Sequence, residues 1–205
     1  MDKLEEMHYF ASPFYVVKKV EFLETMRAVS DRYVQDAMRA RDHKELLMTA
    51  SYMHEDEVAE FAQYVSQTAW NILASQGHKM DQMVTFFTEM WTQEHRHLSA
   101  METHVHGQGA QINCFYFLDA PIGSSKLVIH DPRPGKVMVN LQETNPNEIT
   151  LATQQIVFTP EPGSMIFTNS WLPHSLTKNQ SQEPVRFVHM NLAVAPAPEQ
   201  SVEVV

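Results

Sequence analysis

The second half of the sequence is a series of short apolar runs separated by turn-forming residues. Turn signals with Asp-Pro, Asn-Pro or Pro-Gly pairs stand near positions 131–135, 145–147 and 160–163. We predict strands at 112–118, 126–129, 137–141, 148–152, 155–159, 164–168 and 185–194. Short strands at this spacing are typical of an all-β sandwich or a jelly-roll barrel.

The first 80 residues have a different pattern. Apolar residues recur at helical spacing over about 20–40 and again over 58–73, which predicts two amphipathic helices. Before them, residues 10–17 with Pro13 suit an edge strand. The segment 84–95 fits a helix or a strand equally well. We therefore expect a single domain over 1–205, with a helical layer at 1–83, a jelly-roll core at 84–195 and a tail at 196–205.

Charge and cysteine content exclude several classes of protein. The net charge of −10 repels nucleic-acid phosphates and anionic lipid, so neither is an expected partner. A single cysteine, Cys114, rules out an internal disulfide and points to a reducing compartment. No apolar run approaches the ~18 residues of a membrane span. We expect a cytoplasmic protein whose oligomeric state is open, a homodimer being one option.

Three histidines in the β half form a candidate metal site. His104 and His106 are two residues apart, and such residues on a strand point to the same face. His174 follows the predicted strand 164–168, and a jelly roll can bring distant strands together. Three protein ligands with open positions describe a catalytic metal site. A solvated His-x-His pair is the plainer interpretation. For His95 and His97 we expect a solvated strand end or loop, and this second pair shows that the spacing alone is not specific.

The order of motifs resembles the iron(II)- and 2-oxoglutarate-dependent oxygenases. After the His-x-His come the strand at 112–118, Asp131-Pro132-Arg133, Pro160-Glu161-Pro162-Gly163, Trp171-Leu172-Pro173-His174 and Arg186. The sequence is most similar to the small 2-oxoglutarate–iron(II) oxygenase family of marine bacteria and cyanophages, over roughly residues 86–193. This resemblance implies a double-stranded β-helix (cupin-like jelly roll) with an N-terminal helical layer, in the cytoplasm of a bacterium or of a phage-infected host.

The resemblance implies that His104 and His174 are iron ligands. In the wider superfamily the third ligand is an Asp or Glu two residues after the first histidine, where this chain has His106. Either His106 or Asp131 therefore completes the site. We favour His106 because of its strand position, while Asp131 suits the leading position of a turn.

Other roles carried over from the family concern the cosubstrate and the substrate. Arg186 corresponds to the residue that pairs with the distal carboxylate of 2-oxoglutarate, although an arginine that opens a strand is commonly a surface residue. Asn113 would donate to the cosubstrate, and Arg133 would hold an acidic group of the substrate or else lie in an exposed turn. Phe117 and Val188 replace the Tyr and Ser that often contact 2-oxoglutarate.

The predicted activity is that of an oxidoreductase. With iron(II), 2-oxoglutarate and O2, the enzyme would form succinate and hydroxylate a peptide, an amino acid or a small metabolite, and the sequence does not identify which. A three-histidine cupin-type metalloenzyme that does not use 2-oxoglutarate, either an iron dioxygenase or a zinc hydrolase or lyase, is the alternative. A metal-free β-sandwich binding module is a third reading.

Overall fold

Two antiparallel sheets face each other across a shared interior. The computed structural model describes residues 5, 7, 10–40, 46–107 and 109–198, and in those ranges it has ten strands and two α-helices. The larger sheet has the order β1 (Phe14–Lys18), β8 (Ser164–Asn169), β5 (Ala110–Asp119), β10 (Val185–Pro196), β3 (Met83–His95) and β2 (Leu46–Met48). The smaller sheet has the order β4 (Met101–His104), β9 (His174–Leu176), β6 (Leu127–His130) and β7 (Gln155–Phe158).

The connections between strands are those of a jelly roll. From β3 to β10 the chain passes from one sheet to the other at each step except between β6 and β7. Strands far apart in sequence therefore become neighbours, as β10 does with both β3 and β5. The predicted double-stranded β-helix is confirmed.

The residues of β10 alternate between two apolar interiors. Val185 and Phe187 pack between the two sheets. Val188, Met190 and Leu192 belong to a second cluster on the other face of the same sheet. Because both faces are buried, the strand is a nearly continuous apolar run rather than an alternating one.

The two helices cover the outer face of the larger sheet. α1 (Leu23–Ala40) and α2 (Ala59–Ser75) confirm the predicted helices and the predicted helical layer. Phe61 of α2 is buried and packs on Tyr116 of β5, with ring centroids 5.1 Å apart. Gly77 follows α2 with φ of 90°, a left-handed backbone conformation that glycine adopts without strain.

Two predicted strands are wrong. Residues 134–138 form a 3-10 turn, and 148–152 contain no strand. Met138 and Ile149 in these segments are exposed instead of buried, at 82% and 68%. Apolar runs alone indicated strands there, but no facing sheet buries them.

The ambiguous segment 84–95 is a strand, and three short strands were not predicted as separate elements. Both faces of the C-terminal part of β3 are buried, which obscures the alternation expected of a strand. β2, β4 and β9 have only three or four residues, too few to show a period. Most of the predicted tail, residues 199–205, lies outside the described residues.

No helix in the described ranges has the length and apolar character needed to cross a membrane.

Candidate metal centre

Strand pairing brings the three predicted histidines together. β4 and β9 are neighbours, and His104 lies directly opposite His174. His106 follows two residues later, and its backbone N–H donates to the Ser170 carbonyl at 2.9 Å. One potential ligand atom of each histidine lies within 4.8 Å of the other two. Among the described His, Cys, Asp and Glu residues, this is the one group found that could hold a metal ion.

Backbone carbonyls orient two of the rings. Nδ1 of His104 lies 2.8 Å from the Glu102 carbonyl, and Nδ1 of His174 lies 3.0 Å from the Leu172 carbonyl. A carbonyl oxygen only accepts, so each Nδ1 carries a proton and each Nε2 keeps a free lone pair. Such a hydrogen bond from the far ring nitrogen is typical of metal-binding histidines.

Burial keeps the imidazoles of His106 and His174 neutral. It lowers the pKa of His106 and of His174 to about 4, and neighbouring histidines add a smaller effect of the same sign. The Nε2 atoms of both residues are buried without a hydrogen-bond partner. Neutral nitrogen donors that lack a partner fit a bound divalent cation, and together with His104 they give a three-imidazole set that suits iron(II).

A cavity of about 210 Å³ adjoins the three histidines. Its wall also contains His189, Trp91 and Gln93, with Met48, Met101, Phe115 and Leu176 as apolar members. His189 is 2% exposed, and its ring centroid is 4.8 Å from that of His106. The sequence prediction missed His189. Its position two residues after Phe187 on a strand was the available signal, because residues two apart share a face.

Asn113 lies on the face of the larger sheet that lines the interior. It stands opposite Asn191 on β10 and Thr168 on β8. Asn113 is fully buried, and both of its side-chain polar atoms lack a partner. A ligand in the interior could satisfy them, so the predicted role of Asn113 stays a proposal.

The structure places Arg186 outside the cavity wall, and its role toward 2-oxoglutarate stays a prediction. Arg186 belongs to the face of β10 that packs against the helices, one residue out of step with Val185 and Phe187. Its Nη2 and Nε bond to the Glu94 carboxylate at 2.7 and 3.1 Å, and its Nη1 bonds to Asp31 of α1. Val188 is on the same face and packs in the cluster below the helices. Neither side chain lines the cavity, because successive residues of a strand point to opposite faces of the sheet.

Asp131 and Arg133 form an ion pair in a separate pocket. Nη2 and Nε of Arg133 bond to the Asp131 carboxylate at 2.6 and 2.9 Å. The hydrogen bond from Arg133 lowers the pKa of Asp131. Asp131 is not part of the histidine group, and this favours His106 over Asp131 as the third ligand.

The second His-x-His pair does not belong to the centre. His95 is buried in β3, where its Nε2 lies 2.8 Å from Gln93 Nε2, and burial lowers its pKa to about 4. His97 hydrogen-bonds through Nδ1 to the Ser181 carbonyl at 2.9 Å. The predicted exposed strand end is therefore wrong for His95.

Comparisons with known proteins agree with this geometry. Residues 89–189 match the family described as "Putative 2OG-Fe(II) oxygenase". No curated protein matches the sequence. The non-heme alpha ketoglutarate dependent epimerase SnoN from nogalamycin biosynthesis has a similar structure, with a TM-score of 0.61 and 12% identity over 91% of this chain and 79% of its own.

Two further solved structures share the fold. The carbocyclase SnoK from the same biosynthesis has a TM-score of 0.63 and 11% identity over 91% of this chain and 83% of its own. A prolyl-4-hydroxylase of Pseudomonas putida has a TM-score of 0.59 and 8% identity over 88% of this chain and 92% of its own. At identities this low, the similarity shows a shared fold alone.

Replacing Arg186 by Ala should destabilise the protein without removing the metal. Glu94 is 3% exposed and would keep only Arg96 as a cationic partner, so the free energy of unfolding should fall by about 2 kcal/mol in urea denaturation. The control Arg39→Ala removes an exposed pair with Asp36 and should change it by less than ~0.5 kcal/mol. Unchanged stability with loss of 2-oxo-acid binding would instead restore Arg186 as the anchor.

The metal-free protein should lose stability as the pH falls from about 6.5 to 4. The unfolded histidines have a pKa of ~6.5, so in this range the unfolded state binds more protons than the folded state, in which His106 and His174 have a pKa of about 4. Urea denaturation at several pH values measures the slope. His106→Asn should reduce this slope; an equal slope in both proteins would contradict a neutral, buried His106.

Proposed function

We propose that the chain, whose residues 89–189 match the 2OG-Fe(II) oxygenase family, is a hydroxylase that binds iron(II) through His104, His106 and His174. The observation that carries this proposal is the convergence of three potential ligand atoms within 4.8 Å beside a cavity. Bound iron would supply activation of O2 together with oxidation of a 2-oxo acid, 2-oxoglutarate being the family's cosubstrate.

The residues around the centre prepare it for this chemistry. The Glu102 and Leu172 carbonyls hold the protons of His104 and His174 on Nδ1, so Nε2 faces the metal position. Phe115 and Leu176 line the cavity with apolar surface, which limits access of water to reactive species. Asn113 contributes a buried amide without a partner for a ligand oxygen.

Hydroxylation is proposed over halogenation because of the number of protein ligands. In a halogenase, halide would need a coordination position on the metal, and here a third protein ligand would occupy that position. With His106 next to His104 and His174, the centre retains positions for a bidentate 2-oxo acid and O2.

The substrate is proposed to enter from a pocket next to the metal position. This pocket, of about 470 Å³, is lined by Phe14, Ile129, Leu172 and Arg133 among others. Ile129 pairs with His174 across the strands, and the Leu172 carbonyl accepts from the same ring. The pocket has room for a small molecule or a peptide side chain, and Arg133 is proposed to hold an acidic group there.

A second candidate is a three-histidine metalloenzyme that does not use 2-oxoglutarate. The observation that favours it is the position of Arg186, whose guanidinium bonds to Glu94 and Asp31 outside the cavity. Turnover that needs O2 but not a 2-oxo acid would identify an iron dioxygenase, and turnover that needs neither would identify a zinc enzyme.

Conversion of 2-oxoglutarate to succinate tests the proposed activity. The iron(II)-loaded protein should convert it in air, faster with substrate pools of peptides, amino acids or metabolites that contain an acceptor. His174→Ala is the control and should abolish conversion. No conversion by the wild type with any pool or 2-oxo acid, despite bound iron, would contradict the proposal.

Variants at the third ligand test the assignment of His106. His106→Ala should lose most bound iron, because one of three protein ligands is gone. His106→Asp should retain iron, since a carboxylate there gives the superfamily's commoner ligand set. Asp131→Asn should bind iron normally, because Asp131 bonds to Arg133 away from the histidines.

An anaerobic iron(II) titration measures these affinities. If His106→Ala binds iron like the wild type while Asp131→Asn does not, the ligands are His104, Asp131 and His174.

A further inference from the structure

Toward the Phe187 end of β10, the space between the sheets is filled by hydrocarbon side chains. Each of the buried members of this cluster is at most 5% exposed: Phe115, Phe117, Leu127, Ile129, Ile166, Leu172, Leu176, Val185 and Phe187. On β10 the inward positions before His189 are Val185 and Phe187. The interior on that side of the metal position therefore offers no polar contact from this strand.

No lysine or arginine of the described ranges lines the cavity. The expected cation, Arg186, is held by Glu94 and Asp31 on the opposite face of the sheet. A second carboxylate on a bound acid would therefore find no guanidinium or ammonium partner in this wall.

The carboxylate and keto group of a bound 2-oxo acid, here called its head, would meet polar atoms in the cavity wall. Trp91 Nε1 and His189 Nδ1 belong to cavity-lining residues, and both atoms are buried without a partner. Trp91 Nε1 can only donate, so it needs an acceptor such as a carboxylate or keto oxygen. The cavity wall thus combines a buried, unpartnered donor on Trp91 with the apolar side chains of Met101, Phe115 and Leu176.

We infer that the centre prefers a 2-oxo monocarboxylic acid with a short hydrocarbon tail over 2-oxoglutarate. This inference rests on the proposed use of a 2-oxo acid. Iron and the Trp91 N–H would compensate the charge of the head. An apolar tail would gain from contact with Met101 and Leu176, whereas a tail carboxylate would lose its hydration without an ion pair.

The matched ligands are 2-oxopentanoate and 2-oxoglutarate, which share a five-carbon chain and differ by a methyl group in place of the second carboxylate. Each is titrated anaerobically into the iron(II)-loaded wild-type protein, following the visible charge-transfer band. We expect 2-oxopentanoate to bind at least roughly tenfold more tightly. Equal or tighter binding of 2-oxoglutarate would overturn this inference and leave the proposed function intact. If neither acid produces a band although iron is bound, both fall.

Shortening the tail tests the apolar contact itself. Pyruvate lacks two methylene groups of 2-oxopentanoate and should bind roughly 15-fold more weakly, since each buried methylene contributes about fourfold. In Met101→Gln, a variant of similar shape, the affinity for 2-oxopentanoate should fall more than that for pyruvate. Equal affinity of the two acids in the wild type, or an equal loss in the variant, would contradict a tail packed on this wall.

Discussion

The side chains of the larger sheet alternate between two buried faces, and this alternation decides where each functional residue lies. Phe187 and His189 face the smaller sheet, while Arg186 and Val188 face the helices. A shift of one residue on a strand exchanges the two environments. The same motif can thus supply a cation to the interior or, as here, to an ion pair with Glu94 beneath the helical layer.

The chemistry of the centre follows from burial without an opposite charge. His106, His174 and His189 are neutral because desolvation penalises the imidazolium. A divalent cation bound by three neutral ligands keeps its full formal charge, which favours an anionic head group next to it. The cavity wall combines the unpartnered Trp91 N–H with apolar side chains, and from this we infer that affinity for a bound acid depends on its tail.

Much of the fold could be predicted from the sequence because its signals are local. The spacing of apolar residues indicated both helices, and turn signals delimited β5, β6, β7, β8 and β10. His104 and His106 were found from strand spacing, and His174 from motif order. The side on which Arg186 lies could not be predicted, because β10 is apolar on both faces and its register depends on β3 and β5. For the same reason, the separation of two residues from Phe187 was the one signal for His189. The apolar residues near 138 and 149 gave a strand pattern in the sequence although they are exposed in the structure.

The most direct test of the three-histidine centre is a crystal structure of the protein loaded anaerobically with iron(II), with anomalous scattering recorded at the iron edge. The geometry predicts one anomalous peak within bonding distance of His104, His106 and His174, with Asp131 still bonded to Arg133. A peak coordinated by Asp131, or no ordered iron between the three rings at full metal loading, would contradict this account.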